Sequence, residues 1–278
     1  MLKKLNVFII NLPNDVDRYR HMKKICREYE LNYMFINAVN GTDVSPDYFK
    51  KKYNSEQALK KIGRELTKGE IGCLLSHKKT YHHIIKKKIP YALILEDDVE
   101  LSPNCFKTIA TIIDSIDGWE CIMLGYHQWG TKKRIYDISI WGQKKITKRN
   151  KLVRFTALVR GGYGYLLSLK GAEKLIYKLE NRSIDRPIDE YIGGIHFLNL
   201  FGISPPCITI SDKYPENKTG LALERNKILN QPKIYSENNT GIKILYWLRK
   251  FTKIPKTILR ITIRVWNIIK PPIFLNKF

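Results

Sequence analysis

Three consecutive acids, Glu96, Asp97 and Asp98, follow a short apolar run at residues 91–95. The run predicts a buried strand of a parallel sheet, and ligands of open α/β sheets bind at the carboxyl ends of the strands. Because adjacent buried anions are costly, a divalent cation with oxygen ligands, Mn²⁺ or Mg²⁺ on a substrate phosphate, would stabilise them. The alternative is a solvated acidic turn before a helix cap at Ser102. The pattern favours the metal site, since apolar strands that end in acids recur in several enzyme classes.

A second group of chemically capable residues combines a glycine cluster at residues 161–164 with an acid pair, Asp189 and Glu190. Glycines such as Gly162 and Gly164 let backbone amides approach a phosphate or a sugar closely. The cluster matches neither a dinucleotide-binding fingerprint nor a P-loop. The acid pair begins a predicted helix, where it either complements the helix dipole or supplies a general base in a cleft. The residues alone allow both interpretations.

The elements that position these residues follow from caps and hydrophobic periodicity. A capping box at residues 67–70 predicts a helix that carries Ser76 and His77. His82 and His83, further along that helix, are interpreted as structural or solvated. The first two strands and the helix between them form a βαβ unit. The predicted strands are residues 6–10, 32–36, 91–95, 121–124 and 165–168; the predicted helices are 18–30, 69–85, 105–115 and 171–179; residues 42–68 are predicted to be an excursion or a short helical hairpin.

The composition is that of a globular protein with an anionic partner. The chain has 278 residues, of which 44% are hydrophobic and 27% charged, and its net charge is +23. The length allows one α/β domain with an appendage, or two small domains. The charge indicates nucleic acid, an acidic membrane surface, or a phosphorylated or sialylated substrate as the partner. The basic segment 131–160 either faces an anion or is a solvated hairpin.

Cysteine usage and hydropathy predict the compartment. Five scattered cysteines without a CxxC pair predict free thiols in a reducing environment, with neither a disulfide framework nor a zinc site. The N-terminus runs straight into a strand without the apolar region of a signal peptide, and no apolar run approaches the length that spans a bilayer. We therefore expect the catalytic body to be cytoplasmic.

Six stretches, matching in order and spacing, make the chain resemble glycosyltransferase family 25, the lipopolysaccharide and lipooligosaccharide glycosyltransferases with collagen-modifying relatives. The resemblance implies a GT-A-like fold with a Rossmann-type nucleotide-binding half and an acceptor-binding half. It also implies a nucleotide-sugar donor, most often UDP-galactose or UDP-glucose, and inversion of the anomeric centre. The matching stretches are residues 7–12 with Asp17 and Arg18, then 37–41, 66–77, 92–99, 162–174 and 187–189.

The resemblance implies roles for individual residues. Glu96, Asp97 and Asp98 would form a DxD-like site holding Mn²⁺ (or Mg²⁺) against the diphosphate. Asp98 is the first choice for direct metal contact, with the other two acids nearer the ribose and the sugar. Asp189 would be the catalytic base, with Glu190 as the alternative. The other residues expected to bind or border the donor are Asn11, Leu12, Arg18, Ala38, Gly41, Ser76, His77, Gly162 and Gly164.

One departure concerns the metal. Many GT-A enzymes add a late histidine ligand, whereas the last histidine here is His196, so His196, Asp212 or water would fill that position. Acids and charge alone also suit a metal-dependent phosphodiesterase or nuclease, or a non-catalytic nucleic-acid-binding protein. Neither explains the ordered motifs, and the chain carries no recognisable nucleic-acid-binding signature. We therefore expect no nucleic-acid partner.

Residues 241–278 form a predicted basic tail after a catalytic domain at residues 1–240. The tail contains nine Lys or Arg and no acid. Its two apolar faces, each with a tryptophan opposite a basic stripe, are typical of helices in an anionic membrane interface, where each basic residue contributes roughly 1 kcal/mol. The alternative is that these helices pack on the body as core. An enzyme that extends a lipid-linked oligosaccharide would need to lie peripherally on the inner face of the cytoplasmic membrane.

Deletion of residues 241–278 tests the membrane interpretation. We expect the truncated protein to lose binding to anionic vesicles, because it lacks the basic amphipathic faces, and to keep transfer to a short soluble acceptor. Vesicle co-sedimentation and a transfer assay measure the two properties. A truncated protein that is insoluble, or inactive even on the soluble acceptor, would show that the tail is part of the core.

Overall fold

The computed structural model describes residues 5–127, 138–139 and 142–214. The predicted tail at 241–278 and part of the basic segment 131–160 lie outside these ranges. The strands are β1 (Asn6–Asn11), β2 (Asn32–Asn37), β3 (Tyr91–Glu96), β4 (Val99–Leu101), β5 (Cys121–Gly125), β6 (Lys144–Lys145), β7 (Lys151–Val153), β8 (Gly164–Ser168), β9 (Leu200–Ser204) and β10 (Ile208–Ile210). The helices are α1 (Val16–Glu28), α2 (Pro46–Lys52), α3 (Ser55–Ile62), α4 (Lys68–Lys86), α5 (Cys105–Ser115), α6 (Leu169–Asn181) and α7 (Ile188–Ile192).

The described residues form an eight-stranded sheet with the order β2-β1-β3-β8-β5-β9-β7-β6, and β4 pairs with β10 in a small second sheet. Side chains of α1 and α5 pack on one core with one set of strand residues. Side chains of α4, α6 and α7 pack on a second core with the alternate strand residues. Because successive strand residues point to opposite faces, helices cover the sheet on both sides. The predicted α/β fold is confirmed.

The first three strands form a parallel group that contains the βαβ unit predicted from the sequence. β1 lies between β2 and β3 and is parallel to both, with Asn11 opposite Asn37 and Ile10 opposite Glu96. The carboxyl ends of all three strands therefore meet at one edge of the sheet. Asp15 caps the intervening α1 by accepting from the backbone N–H of Arg18. The predicted βαβ unit is confirmed.

The acid-bearing strand departs from the prediction of a purely parallel environment. β3 is parallel to β1 on one side but antiparallel to β8 on the other. The apolar run predicted burial correctly, since residues 92–95 are all buried, but it could not report the direction of the second neighbour. The antiparallel pairing places Gly164 opposite Leu95. The glycine cluster, residues 161–164, therefore ends beside the carboxyl end of the acid-bearing strand.

Residues 42–68 contain two short helices, in line with the helical-hairpin alternative. A 3-10 turn at Gly41–Asp43 leads into α2 and α3. Ser45 and Asn54 cap these two helices by accepting from backbone N–H groups, and Gly63 ends α3 with a φ of +75°. Such left-handed backbone favours glycine at helix ends.

The predicted capping box at the start of α4 is confirmed. The Thr67 hydroxyl accepts from the Glu70 backbone N–H, and the Glu70 carboxylate accepts from the Thr67 backbone N–H. Gly72 lets this helix approach the loop after β2, because a Cβ there would lie 2.6 Å from the Gly41 nitrogen. His82 is exposed beside Glu180, and His83 packs on Phe8. The interpretation of these two histidines as solvated or structural is confirmed.

All five cysteines lie in the described part of the chain, and all are free thiols. Across residues 5–127, 138–139 and 142–214, no helix is both long and apolar enough to cross a bilayer.

Candidate active site

Asp97 and Asp98 share one guanidinium group at the carboxyl ends of β1 and β3. Arg18 on α1 donates through Nη1 to Asp97 Oδ1 at 2.8 Å, and the same nitrogen lies 3.2 Å from Asp98 Oδ2. Asn11, the last residue of β1, donates from Nδ2 to Asp97 Oδ2 at 2.8 Å. Asp97 therefore has both carboxylate oxygens satisfied by protein groups. The structure brings together four residues that the sequence predicted for the donor and metal site.

Asp98 is the acid that the protein leaves incompletely satisfied. It is only 7% exposed, and its Oδ1 has no hydrogen-bond partner among the described residues. Burial, and after it the charge of Glu96, raises the pKa of Asp98 to about 7, although Arg18 acts to lower it. A buried carboxylate oxygen without a donor suits a cation, and an all-oxygen set of ligands suits Mn²⁺ or Mg²⁺. The residues present therefore fit the predicted hard-cation site, with Asp98 as its best-placed ligand.

Glu96 contacts a different set of side chains. Its backbone N–H donates to the Tyr163 carbonyl at 2.9 Å, and its Oε1 lies 3.6 Å from Nε2 of His77 on α4. His77 is fully buried, and its Nδ1 lies 2.7 Å from the Tyr165 hydroxyl, which in turn lies 2.7 Å from the Tyr81 hydroxyl. The first acid of the cluster thus adjoins a buried tyrosine–histidine network, while the second and third adjoin Arg18.

The glycine cluster lies against Asp189. The Gly161 backbone N–H donates to Asp189 Oδ2 at 3.2 Å, and Gly161 has a φ of +96°, a conformation that side chains disfavour. A Cβ on Gly162 would lie 3.8 Å from Asp189 Cβ. Segment 161–164 therefore runs from Asp189 to the end of β3, where Tyr163 accepts from Glu96. It joins the two groups of acids that the sequence placed far apart.

The two members of the predicted acid pair have different surroundings. Glu190 Oε1 accepts two hydrogen bonds from Arg160, at 3.0 and 2.6 Å. Asp189 Oδ1 is buried and has no hydrogen-bond partner among the described residues. Burial raises the pKa of Asp189, against the opposing hydrogen bond from Gly161. A carboxylate with an unpaired oxygen and a raised pKa suits a general base better than one held by an arginine.

Cys73 is a site residue that the sequence reasoning missed. Burial raises the pKa of its thiol, and the charges of Glu96, Asp189, Glu70 and Asp98 add to this effect, so the thiol lies among the acids of both groups. Cys73 stands four residues before His77 and therefore shares a face of α4 with it. The four-residue spacing of Cys73 and His77 is the sequence signal that could have identified this cysteine. Tyr165 could have been identified by its position directly after the glycine cluster.

The remaining predicted donor residues divide between the sheet edge and the packing around α4. Leu12 follows β1 directly and is 40% exposed, and the backbone N–H of Ala38 donates to the Asn11 carbonyl. Leu12 and Ala38 therefore lie at the carboxyl ends of the parallel strands, where a donor would be expected. Gly41 instead packs on α4, since a Cβ there would lie 1.8 Å from the Lys68 carbonyl oxygen.

Ser76 and Gly164 also serve packing. The Ser76 hydroxyl donates to the Gly72 carbonyl and accepts from the Val39 backbone N–H, and the residue is 1% exposed. A Cβ on Gly164 would lie 2.8 Å from Ile208 side-chain atoms. His196 and Asp212 are the predicted substitutes for a late histidine ligand. Among the described residues, neither belongs to the cluster of possible metal ligands at Glu96, which consists of Cys73, His77 and Glu96.

The fold and site define an α/β protein with a carboxylate centre at the ligand edge of its parallel strands. The chain belongs to glycosyltransferase family 25: the family model described as "Glycosyltransferase family 25 (LPS biosynthesis protein)" matches residues 4–192. A "Glycosyltransferase 25 family member" of Aedes aegypti is 31% identical over 201 residues, 67% of this chain and 30% of that protein. "Procollagen galactosyltransferase 2" of Homo sapiens is 30% identical over 184 residues, 61% of this chain and 27% of that protein.

The chain thus spans less than a third of the length of either relative. Among solved structures, a "glycosyltransferase involved in the glycosylation of the major capsid of PBCV-1" aligns with a TM-score of 0.33 at 11% identity. The alignment covers 81% of this chain and 98% of that one, a similarity too low to define fold or function. The family assignment therefore comes from the sequence match, which the predicted resemblance anticipated.

The raised pKa of Asp98 makes stability depend on pH. Asp98 binds its proton more tightly in the folded protein than in the unfolded chain. The folded protein is therefore destabilised as the pH rises from the unfolded-state pKa to the folded-state pKa of this group, here from about 4 to about 7. Near pH 4 we expect Asp98→Asn and the parent to have the same free energy of unfolding. Above about pH 7, in EDTA, the free energy of unfolding of Asp98→Asn should be larger by on the order of 1–3 kcal/mol. Urea unfolding across this pH range measures the difference.

The matched control is Asp117→Asn, which changes an exposed aspartate between α5 and β5. Because its side chain is exposed, this variant should not reproduce the gain in free energy of unfolding that is expected of Asp98→Asn above about pH 7. Equal stability of Asp98→Asn and the parent above about pH 7 would show that Asp98 is not destabilised by its surroundings.

Proposed function

We propose that this protein is a metal-dependent inverting glycosyltransferase that moves a hexose, galactose foremost, from a UDP-sugar to the growing glycan of lipooligosaccharide or lipopolysaccharide. The observation that carries the proposal is a pair of carboxylates, Asp98 and Asp189, that each have one buried oxygen without a hydrogen-bond partner. Segment 161–164 runs from Asp189 to Glu96, beside the first of them. An inverting transfer needs these two functions: a ligand for the cation on the leaving group, and a base for the incoming hydroxyl.

The proposed reaction is a single displacement. The acceptor hydroxyl oxygen forms a bond to the anomeric carbon while the bond from that carbon to the diphosphate oxygen breaks, and Asp189 Oδ1 takes the hydroxyl proton. Gly161 holds the other oxygen of Asp189, so the proton-accepting oxygen has a fixed direction. Both bonding electrons of the breaking bond leave with the nucleoside diphosphate. The anomeric centre is inverted because the attack and the departure occur on opposite faces.

The acid cluster would receive the diphosphate. Asp98 would hold Mn²⁺ or Mg²⁺, which when bound stabilises the negative charge that develops on the departing diphosphate. Arg18 contributes a fixed positive charge at the same place. Asp97 keeps Arg18 and Asn11 in position, while Leu12 and Ala38 would border the base and ribose at the sheet edge.

The hexose and the acceptor are proposed on the comparisons and on the tail. The family description names lipopolysaccharide biosynthesis, and the human relative is named a procollagen galactosyltransferase. Nine basic residues without an acid in residues 241–278 support a lipid-linked acceptor at the inner face of the cytoplasmic membrane. The vesicle-binding experiment on residues 241–278 tests that location separately from the transfer chemistry.

A screen of nucleotide sugars with Mn²⁺ tests the reaction. We expect hydrolysis of UDP-galactose or UDP-glucose, or transfer to lactose- and heptose-type acceptors, and loss of both activities in EDTA. Asp98→Ala should abolish them as well, because it removes the best-placed ligand for the cation. Cleavage of oligonucleotides in place of sugar transfer would establish the metal-dependent phosphodiesterase instead. Activity that survives EDTA, or near-normal turnover of Asp98→Ala, would contradict the metal-dependent mechanism.

Replacement of Asp189 by asparagine tests the base. Asparagine keeps the shape of the side chain but cannot take the proton, so we expect transfer to fall by roughly a hundred- to ten-thousandfold with donor affinity little changed. The matched control is Glu190→Gln, whose side-chain oxygen can still accept from Arg160. Steady-state kinetics with varied donor separates kcat from KM. If only Glu190→Gln shows the loss, Glu190 is the base. If neither variant shows it, the base is another residue.

A further inference from the structure

Cys73, His77 and Glu96 bring a sulfur, a nitrogen and a carboxylate oxygen within 4.8 Å of one another where β3 meets α4. We propose that these three side chains bind one borderline-soft divalent cation, Zn²⁺ foremost, at a site separate from the hard-cation site at Asp98. The proposal does not depend on the transfer reaction. It also revises the sequence prediction, which found no paired cysteines and expected no zinc site.

The state of His77 is the main evidence. The residue is 0% exposed, and its Nε2 has no hydrogen-bond partner among the described residues. The distance of 3.6 Å from Nε2 to Glu96 Oε1 is too long for a hydrogen bond. It suits two ligands that each lie about 2.0–2.2 Å from a shared tetrahedral ion. A bound cation would remove the cost of leaving a buried ring nitrogen unpaired.

The far side of the imidazole ring is arranged as metal-binding histidines require. Nδ1 lies 2.7 Å from the Tyr165 hydroxyl, which also lies 2.7 Å from the Tyr81 hydroxyl. With Nδ1–H donating to Tyr165, Nε2 carries the lone pair that a cation needs. Tyr165 comes from β8, and its ring stacks on His77 at a centroid distance of 5.9 Å. The orientation of the imidazole is thus set by two elements.

The set of ligands selects the kind of metal. A thiolate and an imidazole favour Zn²⁺ over Mg²⁺ and Mn²⁺, which prefer oxygen ligands. Cys73 and His77 lie one turn apart on α4, and Glu96 comes from the adjoining end of β3. Three protein ligands leave the fourth position of a tetrahedral ion for water, and the Glu96 side chain, 30% exposed, is the ligand nearest solvent.

Metal titration of the full chain tests the site. The metal-stripped protein is titrated with Co²⁺ and then with Zn²⁺, with Mg²⁺ and Mn²⁺ as comparisons. We expect one equivalent of Co²⁺ to give a thiolate-to-cobalt charge-transfer band in the near ultraviolet, and Zn²⁺ to displace it. Cys73→Ser should abolish the band and weaken Zn²⁺ binding more than about a hundredfold, beyond the effect of losing an outer-sphere partner.

Two control variants separate this site from other thiols and acids. Cys26→Ala removes a buried thiol on α1 and should keep the band and the Zn²⁺ affinity. Asp98→Asn removes the hard-cation ligand and should keep the band, because all three ligands of the proposed Zn²⁺ site remain. Tyr165→Phe keeps all three ligands but removes the acceptor for Nδ1–H. It should therefore keep the band and weaken Zn²⁺ binding about 10- to 100-fold.

The proposal is overturned if the parent binds less than one equivalent of Co²⁺ or Zn²⁺, or if Cys73→Ser keeps the charge-transfer band. Should Cys73→Ser fail to fold, as judged by circular dichroism, Glu96→Gln and Tyr165→Phe take its place. Unchanged Zn²⁺ affinity in both would equally overturn the proposal. Because every readout is metal binding, a negative sugar-transfer assay would leave the result intact.

Discussion

Burial of more negative than positive charge at the end of β3 is the constraint on which the site depends. Asp97 and Asp98 are both 7% exposed and share Arg18, and Glu96 adjoins them. One guanidinium group cannot neutralise three carboxylates, so the pKa values of Asp97 and Asp98 rise through burial. The surrounding core holds the acids in place despite this cost, because the strand residues before them are fully buried on both faces of the sheet. This excess of negative charge supports the proposal that a cation binds at the end of β3.

The antiparallel insertion of β8 brings the acid cluster at the end of β3 close to the acid pair at the start of α7. In a purely parallel sheet, the segment before β8 would begin at the opposite edge from the acids. Here Gly164 lies opposite Leu95, so segment 161–164 lies beside the end of β3 and contacts Asp189. The same pairing brings the Tyr165 hydroxyl to His77. One reversal of strand direction thus connects the proposed cation site, the candidate base and the buried histidine.

Helix α4 stabilises this arrangement with polar contacts inside the protein. Arg64 makes a two-pronged ion pair with Glu70 at 2.7 and 2.6 Å, and Glu70 also completes the capping box. Ser76 bonds both its own helix and the loop after β2. Because each of these buried polar groups has a hydrogen-bond partner, its burial costs little free energy. The buried Nε2 of His77 differs from them in having no partner.

The sequence by itself determined the α/β class, the buried strand before the acids, the βαβ unit, the capping box of α4 and the family. These features depend on local periodicity and on motif order, which the residue types carry directly. Only the tertiary structure decided which oxygens are left unpaired, that Arg160 holds Glu190 and not Asp189, and that Cys73 joins His77 and Glu96. Arg18 and Asp97 lie 79 residues apart, and His77 and Tyr165 lie 88 apart. Such partners meet through strand direction and packing, so their charges and hydrogen bonds exist only once the sheet has formed.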